Sequence, residues 1–181
     1  MRAVGLLETN VIARGLLAAD AMAKAAEVKL LSAAPMCPGK YLIIVNGGVA
    51  AVKSALEAGN AVAGETVIDS VLIPNVNSEV FPAISGTTQI DEVDAIGMIE
   101  TYSAPSAVMA ADEAVKSAKI RLIEIRLHRA LGGKAFVIFT GDVAAVRAAI
   151  AAGVNRVKDQ GLVLSTALLP APHKDLVKNL L

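Results

Sequence analysis

The chain contains one sequence pattern twice, and this duplication constrains its fold more than any other feature. Residues 3–31 reappear 92 positions later as residues 95–123, with 10 of 29 positions identical. Residues 39–59 reappear 94 positions later as residues 133–153, with 11 of 21 identical. Because the offset grows, the second copy carries a short insertion before the second block. Two similar domains in one chain occur at equal stoichiometry, which favours pseudo-symmetric rings.

Length and composition narrow the function classes. The 181 residues accommodate two domains of about 90 residues, so we predict a first domain at 1–90 and a second at 91–181. Lys and Arg total 17 against 17 for Asp and Glu, and aromatic residues are only 3%. This balance argues against nucleic-acid binding, which needs a positive face and stacking side chains. Hydrophobic residues reach 55%, which indicates either surfaces covered by partner subunits or simply Ala-rich helices.

The sequence also lacks the features of membrane and exported proteins. No apolar run approaches the roughly 18 residues of a membrane span, and the N-terminus has no signal-peptide pattern. The single cysteine, Cys37, cannot form a disulfide within the chain. We therefore expect a reducing, cytoplasmic location and no membrane partner.

Hydrophobic periodicity predicts the same order of elements in both copies. In the first copy, apolar residues at steps of three and four predict a helix over Val11–Ala26, capped by Thr9 or Asn10. The prolines and the glycine of Pro35–Lys40 are expected to end one strand and force a turn. The other predicted elements of the first copy are strands at Ala3–Leu7, Val28–Ala33, Tyr41–Val45 and Val67–Ile73 and a helix from Val49.

The second copy repeats this order after a connector at residues 75–94, in which Glu79–Ile84 is expected to form one helical turn. Its predicted elements are Ala95–Ile99, Ser106–Ala118, Ile120–Leu127, Ala135–Thr140, Val143–Val157 and Leu162–Leu169. The order β-α-β-β-α-β predicts an α+β fold made of duplicated ferredoxin-like (split β-α-β) domains. This fold serves enzymes, regulators and structural proteins, so it does not decide function.

Several strings resemble bacterial microcompartment (BMC) shell domains. They are Ala95–Thr101, Ala110–Ala118, Gly141–Val146 and Pro170–His173, with weaker versions at Gly5–Thr9, Ala18–Lys24, Gly47–Val52 and Pro74–Asn77. They follow the family order over nearly the whole chain. The chain is therefore identified as a member of the tandem-domain shell proteins, such as those of propanediol-utilisation compartments.

This resemblance implies a homotrimer that forms a flat pseudohexamer with a central pore. Such tiles assemble with other shell proteins into a polyhedral shell around encapsulated enzymes, and small polar metabolites pass through the pore. The implied role is structural, not enzymatic, and the implied location is the microcompartment shell.

The resemblance also places the loop between the second and third strands of each domain around the pore. These residues are Met36, Cys37, Pro38 and Gly39 in the first domain and Leu131, Gly132, Gly133 and Lys134 in the second. Glycine dihedrals can turn backbone amides toward an anion. On sequence alone, ordinary hairpin turns explain these loops equally well. His128 and Arg129 either add positive charge nearby or face solvent.

Some tandem members hold an iron–sulfur cluster through a cysteine that follows Gly-Gly-Lys in the second domain. Here that position is Ala135, which has no thiol to bind iron, so we expect no cofactor and no metal. Cys37 would still supply three thiols per trimer, and a redox conduit through it stays open. The plainer interpretation of Cys37 is a small apolar residue in a loop.

Five further residues are implied at the edge between tiles. Lys24 and Lys116 match the lysine that donates hydrogen bonds across this edge in the family. Each also lies four residues after an Asp, so an ordinary ion pair within the helix is the alternative. Asn75 and Ala171 replace the family's arginine between two prolines, which should weaken lateral assembly or make it more dependent on partners. His173 either stacks or bonds at that edge, or is a solvated loop residue.

The sequence contains no catalytic motif. Two histidines and one cysteine give no metal-ligand spacing and no nucleophilic triad. Glu8 and Glu100 lie at strand ends, where they are expected to accept backbone amides. The alternative class of function is a trimeric, ferredoxin-like regulator that senses a small molecule.

Overall fold

The computed structural model describes residues 3–127 and 131–180, which form two compact units. The connector after residue 76 belongs to the second unit, whereas the predicted division at residues 90 and 91 stays a prediction. The described part of the first unit comprises residues 3–76, Ser103–Pro105 and 131–133, and that of the second comprises Asn77–Tyr102, Ser106–Leu127 and 134–180.

The first unit is a four-stranded antiparallel sheet with the strand order β2-β3-β1-β4. Strand β1 is central, and Glu8 near its end lies opposite Leu42 on one side and Asp69 on the other. The elements are β1 (Ala3–Thr9), α1 (Ile12–Ala25), β2 (Val28–Met36), β3 (Lys40–Gly47), α2 (Val49–Ala63) and β4 (Val67–Ile73).

The second unit repeats this sheet with the order β6-β7-β5-β8. Thr101 pairs with Val163 as Thr9 pairs with Val67, so the last strands of the two repeats correspond at an offset of 96 (163 − 67). The elements are α3 (Val80–Ser85), β5 (Ala95–Thr101), α4 (Ala104–Ser117), β6 (Arg121–Leu127), β7 (Ala135–Gly141), α5 (Val143–Val157), β8 (Val163–Leu169) and α6 (Lys174–Leu180).

Matching glycines let the two long helices of each repeat approach closely. A Cβ atom on Gly59 of α2 would lie 2.6 Å from the Cγ atom of Met22 in α1. A Cβ atom on Gly153 of α5 would lie 2.9 Å from the carbonyl oxygen of Ala110 in α4. Because these distances are below normal contact, a side chain at either position would push the helices apart. The predicted α+β fold with duplicated ferredoxin-like domains is confirmed.

Two local predictions in the first repeat are wrong. Strand β2 continues through Pro35, which lies opposite Tyr41. Proline is tolerated there because β2 is an edge strand, in which one side has no partner strand that needs the missing amide. The residue that precedes α1 is Val11, with no side-chain cap, and the Thr9 hydroxyl donates to the Val11 carbonyl at 3.1 Å.

The predicted strands agree with the structure to within a few residues, and β4 and α5 have the predicted bounds. The predicted helical turn of the connector is helix α3, one residue later than expected. Helix α6 was not predicted. In the part of the chain that the structure describes, no helix is long and apolar enough to cross a membrane.

Candidate functional site

A completely buried carboxylate lies near the end of strand β1 in the first unit. Glu8 points from β1, and its Oε2 atom accepts a hydrogen bond from the amide of Ala104 at 2.7 Å. Ala104 belongs to a short segment of the second repeat that is part of the first unit, and it is the first residue of α4. A carboxylate is favourable there because the first amides of a helix have no partner inside the helix. The prediction that Glu8 accepts a backbone amide is confirmed.

Lys40 connects this carboxylate to one of the predicted pore loops. Its Nζ atom lies 2.7 Å from Oε1 of Glu8 and donates to the carbonyl oxygen of Gly133 at 2.8 Å. Only a small part of the Lys40 side chain reaches solvent. A buried carboxylate needs such compensation because an unpaired buried charge is very costly.

A second buried polar pair lies on the adjacent strand of the same unit. Asp69 of β4 stands opposite Glu8, and its Oδ2 atom accepts a short hydrogen bond from the hydroxyl of Ser103. Asp69 and Ser103 are both buried. We call the four side chains Glu8, Lys40, Asp69 and Ser103 the polar cluster. It holds Ser103–Pro105 and Gly133 by polar bonds, which depend on geometry more strictly than apolar contacts do.

The structure brings together parts of the two predicted pore loops. Cys37–Gly39 form a tight turn in which the Gly39 amide donates to the Met36 carbonyl at 2.9 Å. Gly133 has a φ of 86°, and a Cβ atom there would lie 2.8 Å from Cδ of Pro38. Both glycines have a positive φ, which explains why glycine occupies these positions. His128 and Arg129 lie outside the described residues.

The second repeat contains its own copy of the Glu8–Lys40 ion pair. Glu100 Oε1 lies 2.9 Å from Nζ of Lys134, and both side chains are partly exposed. Sequence reasoning named Glu8 and Glu100 but missed Lys40, Asp69 and Ser103. The signal for Lys40 was present, because Lys40 and Lys134 occupy the same position after a glycine in the duplicated block. Asp69 and Ser103 gave no such signal.

The two predicted edge lysines form the helix ion pairs that were the alternative interpretation. Lys24 Nζ lies 2.7 Å from Oδ2 of Asp20, and both side chains are exposed. Lys116 pairs with Oδ2 of Asp112, whose carboxylate is nearly buried and also accepts the amide of Asn77 at 2.7 Å. These ion pairs leave the edge role as a prediction.

The remaining predicted edge residues lie on turns after the last strand of each repeat. Asn75 is exposed with a φ of 54°, a conformation that asparagine tolerates better than most residues. Ala171 and His173 are exposed as well. The Nδ1 atom of His173 accepts a hydrogen bond from the amide of Asp175 at 3.3 Å.

The residues present in one chain do not fit an iron–sulfur cluster. Ala135 is completely buried at the start of β7, and it has no thiol. Cys37 is exposed, but it supplies one thiol where such clusters usually take four. Among residues 3–127 and 131–180, no group of three His, Cys, Asp or Glu side chains is arranged to hold a metal ion.

Sequence comparison decides the family of this duplicated fold. Residues 3–76 and 95–172 each match the model of the BMC domain. The chain belongs to the BMC domain family. The two BMC domains coincide with the two predicted repeats, so the resemblance found in the sequence is confirmed.

One relative and one solved structure match the chain over nearly their full lengths. The chain is 37% identical to the bacterial microcompartment shell protein PduT of Citrobacter freundii over 97% of this chain and 95% of that one. It is 46% identical to a microcompartments protein from Desulfitobacterium hafniense DCB, for which a crystal structure is known. The structural match covers 98% of this chain and 99% of that one, with a TM-score of 0.85. The fused permuted hexameric shell protein MSM0275, at 21% identity and a TM-score of 0.66, shares the fold.

A single BMC domain is also related to carboxysome proteins. The shell protein CcmK1 of Thermosynechococcus vestitus is 45% identical over 45% of this chain and 73% of its own length. The chain is a structural shell protein of a bacterial microcompartment, with two BMC domains in tandem. The regulator alternative is not favoured by these relatives.

Proposed function

We propose that three copies of the chain close into a ring of six BMC domains, a flat pseudohexamer that tiles the shell. The observation that carries this proposal is a difference in burial between equivalent surfaces of the two repeats. Leu16 on α1 is 61% exposed, whereas its counterpart Val108 on α4 is 1% exposed. Large apolar side chains at equivalent positions of the two repeats are both expected to be removed from water. In a closed ring a second copy of the chain would cover Leu16.

The same difference extends over two elements and so defines a patch. We call the exposed side chains on α1 and β2 the apolar patch, and their counterparts in the second repeat are buried. The patch consists of Ile12, Leu16, Leu17, Leu30 and Leu31, and the counterparts are Ala104, Val108, Met109, Leu122 and Ile123. The area removed from water by covering five such side chains favours a stable association.

Two polar bonds of the first unit have an equivalent donor and acceptor elsewhere in the chain. In the proposed ring these equivalents would bond between neighbouring copies. Glu8 accepts from the amide of Ala104, and the counterpart of Ala104 is Ile12, the first residue of α1. In the ring, Glu100 of one copy accepts from the amide of Ile12 in the next. Lys40 donates to Gly133, so Lys134 correspondingly donates to the Gly39 carbonyl of the next copy. Each junction then uses the same kinds of bond, as pseudo-symmetry requires.

The ring brings the loops of three chains around one central opening. Six turns line it, three of Met36–Gly39 and three of residues 131–134. Gly39, Gly132 and Gly133 have positive φ values, which let backbone amides face the opening, where they attract anionic and polar solutes. We propose passage of small polar metabolites through this pore.

At the outer edge of the ring we propose contacts with other shell proteins. Lys24 and Lys116 have long side chains whose ammonium groups can donate to carbonyl oxygens of a neighbouring tile. Asn75, Ala171 and His173 lie on exposed turns and complete this edge. Encapsulated enzymes face the tile inside the shell.

The trimer is tested by light scattering at micromolar concentration. We expect three times the 18.5 kDa chain mass, or higher multiples from lateral assembly. Leu16→Glu should release folded monomers, since it places a charge in the covered patch. The matched control is Val49→Glu, because Val49 and its counterpart Val143 are both exposed. A stable wild-type monomer would contradict the proposal.

A further inference from the structure

The segments that follow the last strand of each repeat have the same local structure. They correspond at the 96-residue offset established by the strand register, so Asn77 corresponds to His173 and Val80 to Leu176. Asn77 Oδ1 accepts the amide of Glu79 at 2.9 Å, just as His173 Nδ1 accepts the amide of Asp175. The amides of Val80 and Leu176 donate to the carbonyl oxygens of Asn77 and His173 at 3.2 Å and 2.9 Å. Each segment then continues into a short helix, α3 or α6.

The first of these segments is bound to the second unit by three polar contacts. The Asn77 amide donates to Oδ1 of Asp112 at 2.7 Å. Glu79 accepts the amide of Leu122 at 3.0 Å through Oε2, and its Oε1 atom lies 3.0 Å from Nε of Arg121. These contacts fasten α3 along the edge strand β6.

Apolar side chains next to these polar contacts are buried. Val80, the first residue of α3, is 1% exposed, and Ala83 one turn later is buried too. Leu122 of β6 is completely buried. The edge strand of the second repeat is therefore covered here, with the Leu122 amide satisfied and the Leu122 side chain removed from water.

The first repeat contains equivalents of the three residues that bind the segment 77–85 in the second repeat, but there they are exposed. Asp20 corresponds to Asp112, Lys29 to Arg121 and Leu30 to Leu122. Leu30 is 42% exposed, and Asp20 and Lys29 are exposed as well. Asp20 holds Lys24 through Oδ2, as Asp112 holds Lys116, which leaves Oδ1 for a second donor.

The C-terminal segment is equally exposed on the matching side. Leu176, the counterpart of the buried Val80, is 42% exposed. Asp175 is exposed too, and its Oδ2 atom lies 3.6 Å from Nδ1 of His173. The other side of α6 is already anchored, because Val177 and Leu180 pack against Ile123 and its neighbours in the second unit. Helix α6 thus presents an acidic residue and a leucine outward.

We propose that residues 173–180 of one copy bind along β2 of a second copy, as residues 77–85 bind along β6. In this arrangement the His173 amide donates to Asp20, Asp175 accepts the Leu30 amide and pairs with Lys29, and Leu176 packs on Leu30. The occupant of this surface is the C-terminal segment of another copy of this chain. The inference rests on the proposed trimer and adds to it one specific contact at each junction between chains. We call this contact, residues 173–180 of one copy on β2 of the next, the strap.

Cross-linking through engineered cysteines tests this strap in the full-length protein. Lys29→Cys and Asp175→Cys are combined in a Cys37→Ser chain, and the protein is treated with a short bis-maleimide. We expect covalent dimers and trimers on a denaturing gel. The matched control is Arg121→Cys with Glu79→Cys, the equivalent pair within one chain, which should give a cross-linked monomer.

The outcomes separate this inference from the proposed function. If light scattering gives a trimer and the control pair reacts, but Lys29→Cys with Asp175→Cys gives no link between chains, the strap is wrong and the trimer stands. A monomer in light scattering would contradict both.

A second measurement does not depend on cysteine geometry. Leu176→Glu should raise the dissociation constant of the trimer by about tenfold or more, since a buried leucine contributes substantially to an interface. Lys174→Gln makes the same change in net charge at a position whose counterpart Ser78 is exposed, so it should leave the constant unchanged. Equal dissociation constants for the two variants would overturn the strap.

Discussion

Lys40 holds the buried carboxylate of Glu8 at 2.7 Å and at the same time donates to the Gly133 carbonyl. One ammonium group therefore connects strand β1 to the loop at residues 131–134, which we predict to line the pore. Because Glu8 is completely buried and Lys40 nearly so, this ion pair differs in kind from the exposed pairs on the helices.

We expect Lys40→Met to lower the free energy of unfolding by about 3 kcal/mol, because it leaves Glu8 buried without its cation. The control Lys53→Met breaks an exposed pair with Glu57 and should change stability by less than about 0.5 kcal/mol. Urea unfolding followed by circular dichroism, at equal protein concentrations, measures both values. Similar losses in the two variants would refute the importance of the buried pair.

Gly133→Ala should destabilise the chain more than Gly132→Ala. Both glycines have a positive φ, which costs other residues about 1–2 kcal/mol. At Gly133 a Cβ atom would also collide with Pro38. At Gly132, apart from its chain neighbours, no atom of the described residues would lie within 4 Å of a Cβ atom. Thermal unfolding of the two variants gives the comparison. If Gly132→Ala were the more damaging change, the packing of Gly133 on Pro38 would be wrong.

Lys24→Ala and Lys116→Ala together should abolish extended sheets seen by electron microscopy while trimers persist. Lys24→Ala alone should change stability by less than about 0.5 kcal/mol, because its ion pair is exposed. Lys116→Ala should cost about 1–2 kcal/mol, because Asp112 is nearly buried and loses its cation. Sheets that form normally in the double variant would show that neither lysine acts at the edge.

Thiol reactivity distinguishes the two positions considered for a cluster. Cys37 is exposed, so it should react with a maleimide in the native protein, whereas the thiol of Ala135→Cys should react only after unfolding. Mass spectrometry counts the modified sites. A native Cys37 that resists labelling, together with iron–sulfur absorbance that disappears in Cys37→Ser, would instead make the first-domain turn a redox centre.

Much of the fold could be predicted from local patterns in the sequence. The duplication gave two domains of one kind, and apolar spacing located α1, α2, α4 and α5 because one face of each packs inward. The i,i+4 spacing of Asp20 with Lys24 and of Asp112 with Lys116 predicted both ion pairs, since four residues complete about one helical turn. The family strings added the shell role.

The rest depended on contacts between residues far apart in the chain. Periodicity could not show that Pro35 lies on an edge strand, because strand order is a property of the whole sheet. Nor could it show that Glu8 accepts the amide of Ala104, 96 residues later, or that Lys40 reaches Gly133. Leu16 and Val108 have matching positions and opposite burial, because burial depends on what packs against a helix. The sequence by itself determined two similar domains, and only the tertiary structure decided which surfaces of each are covered.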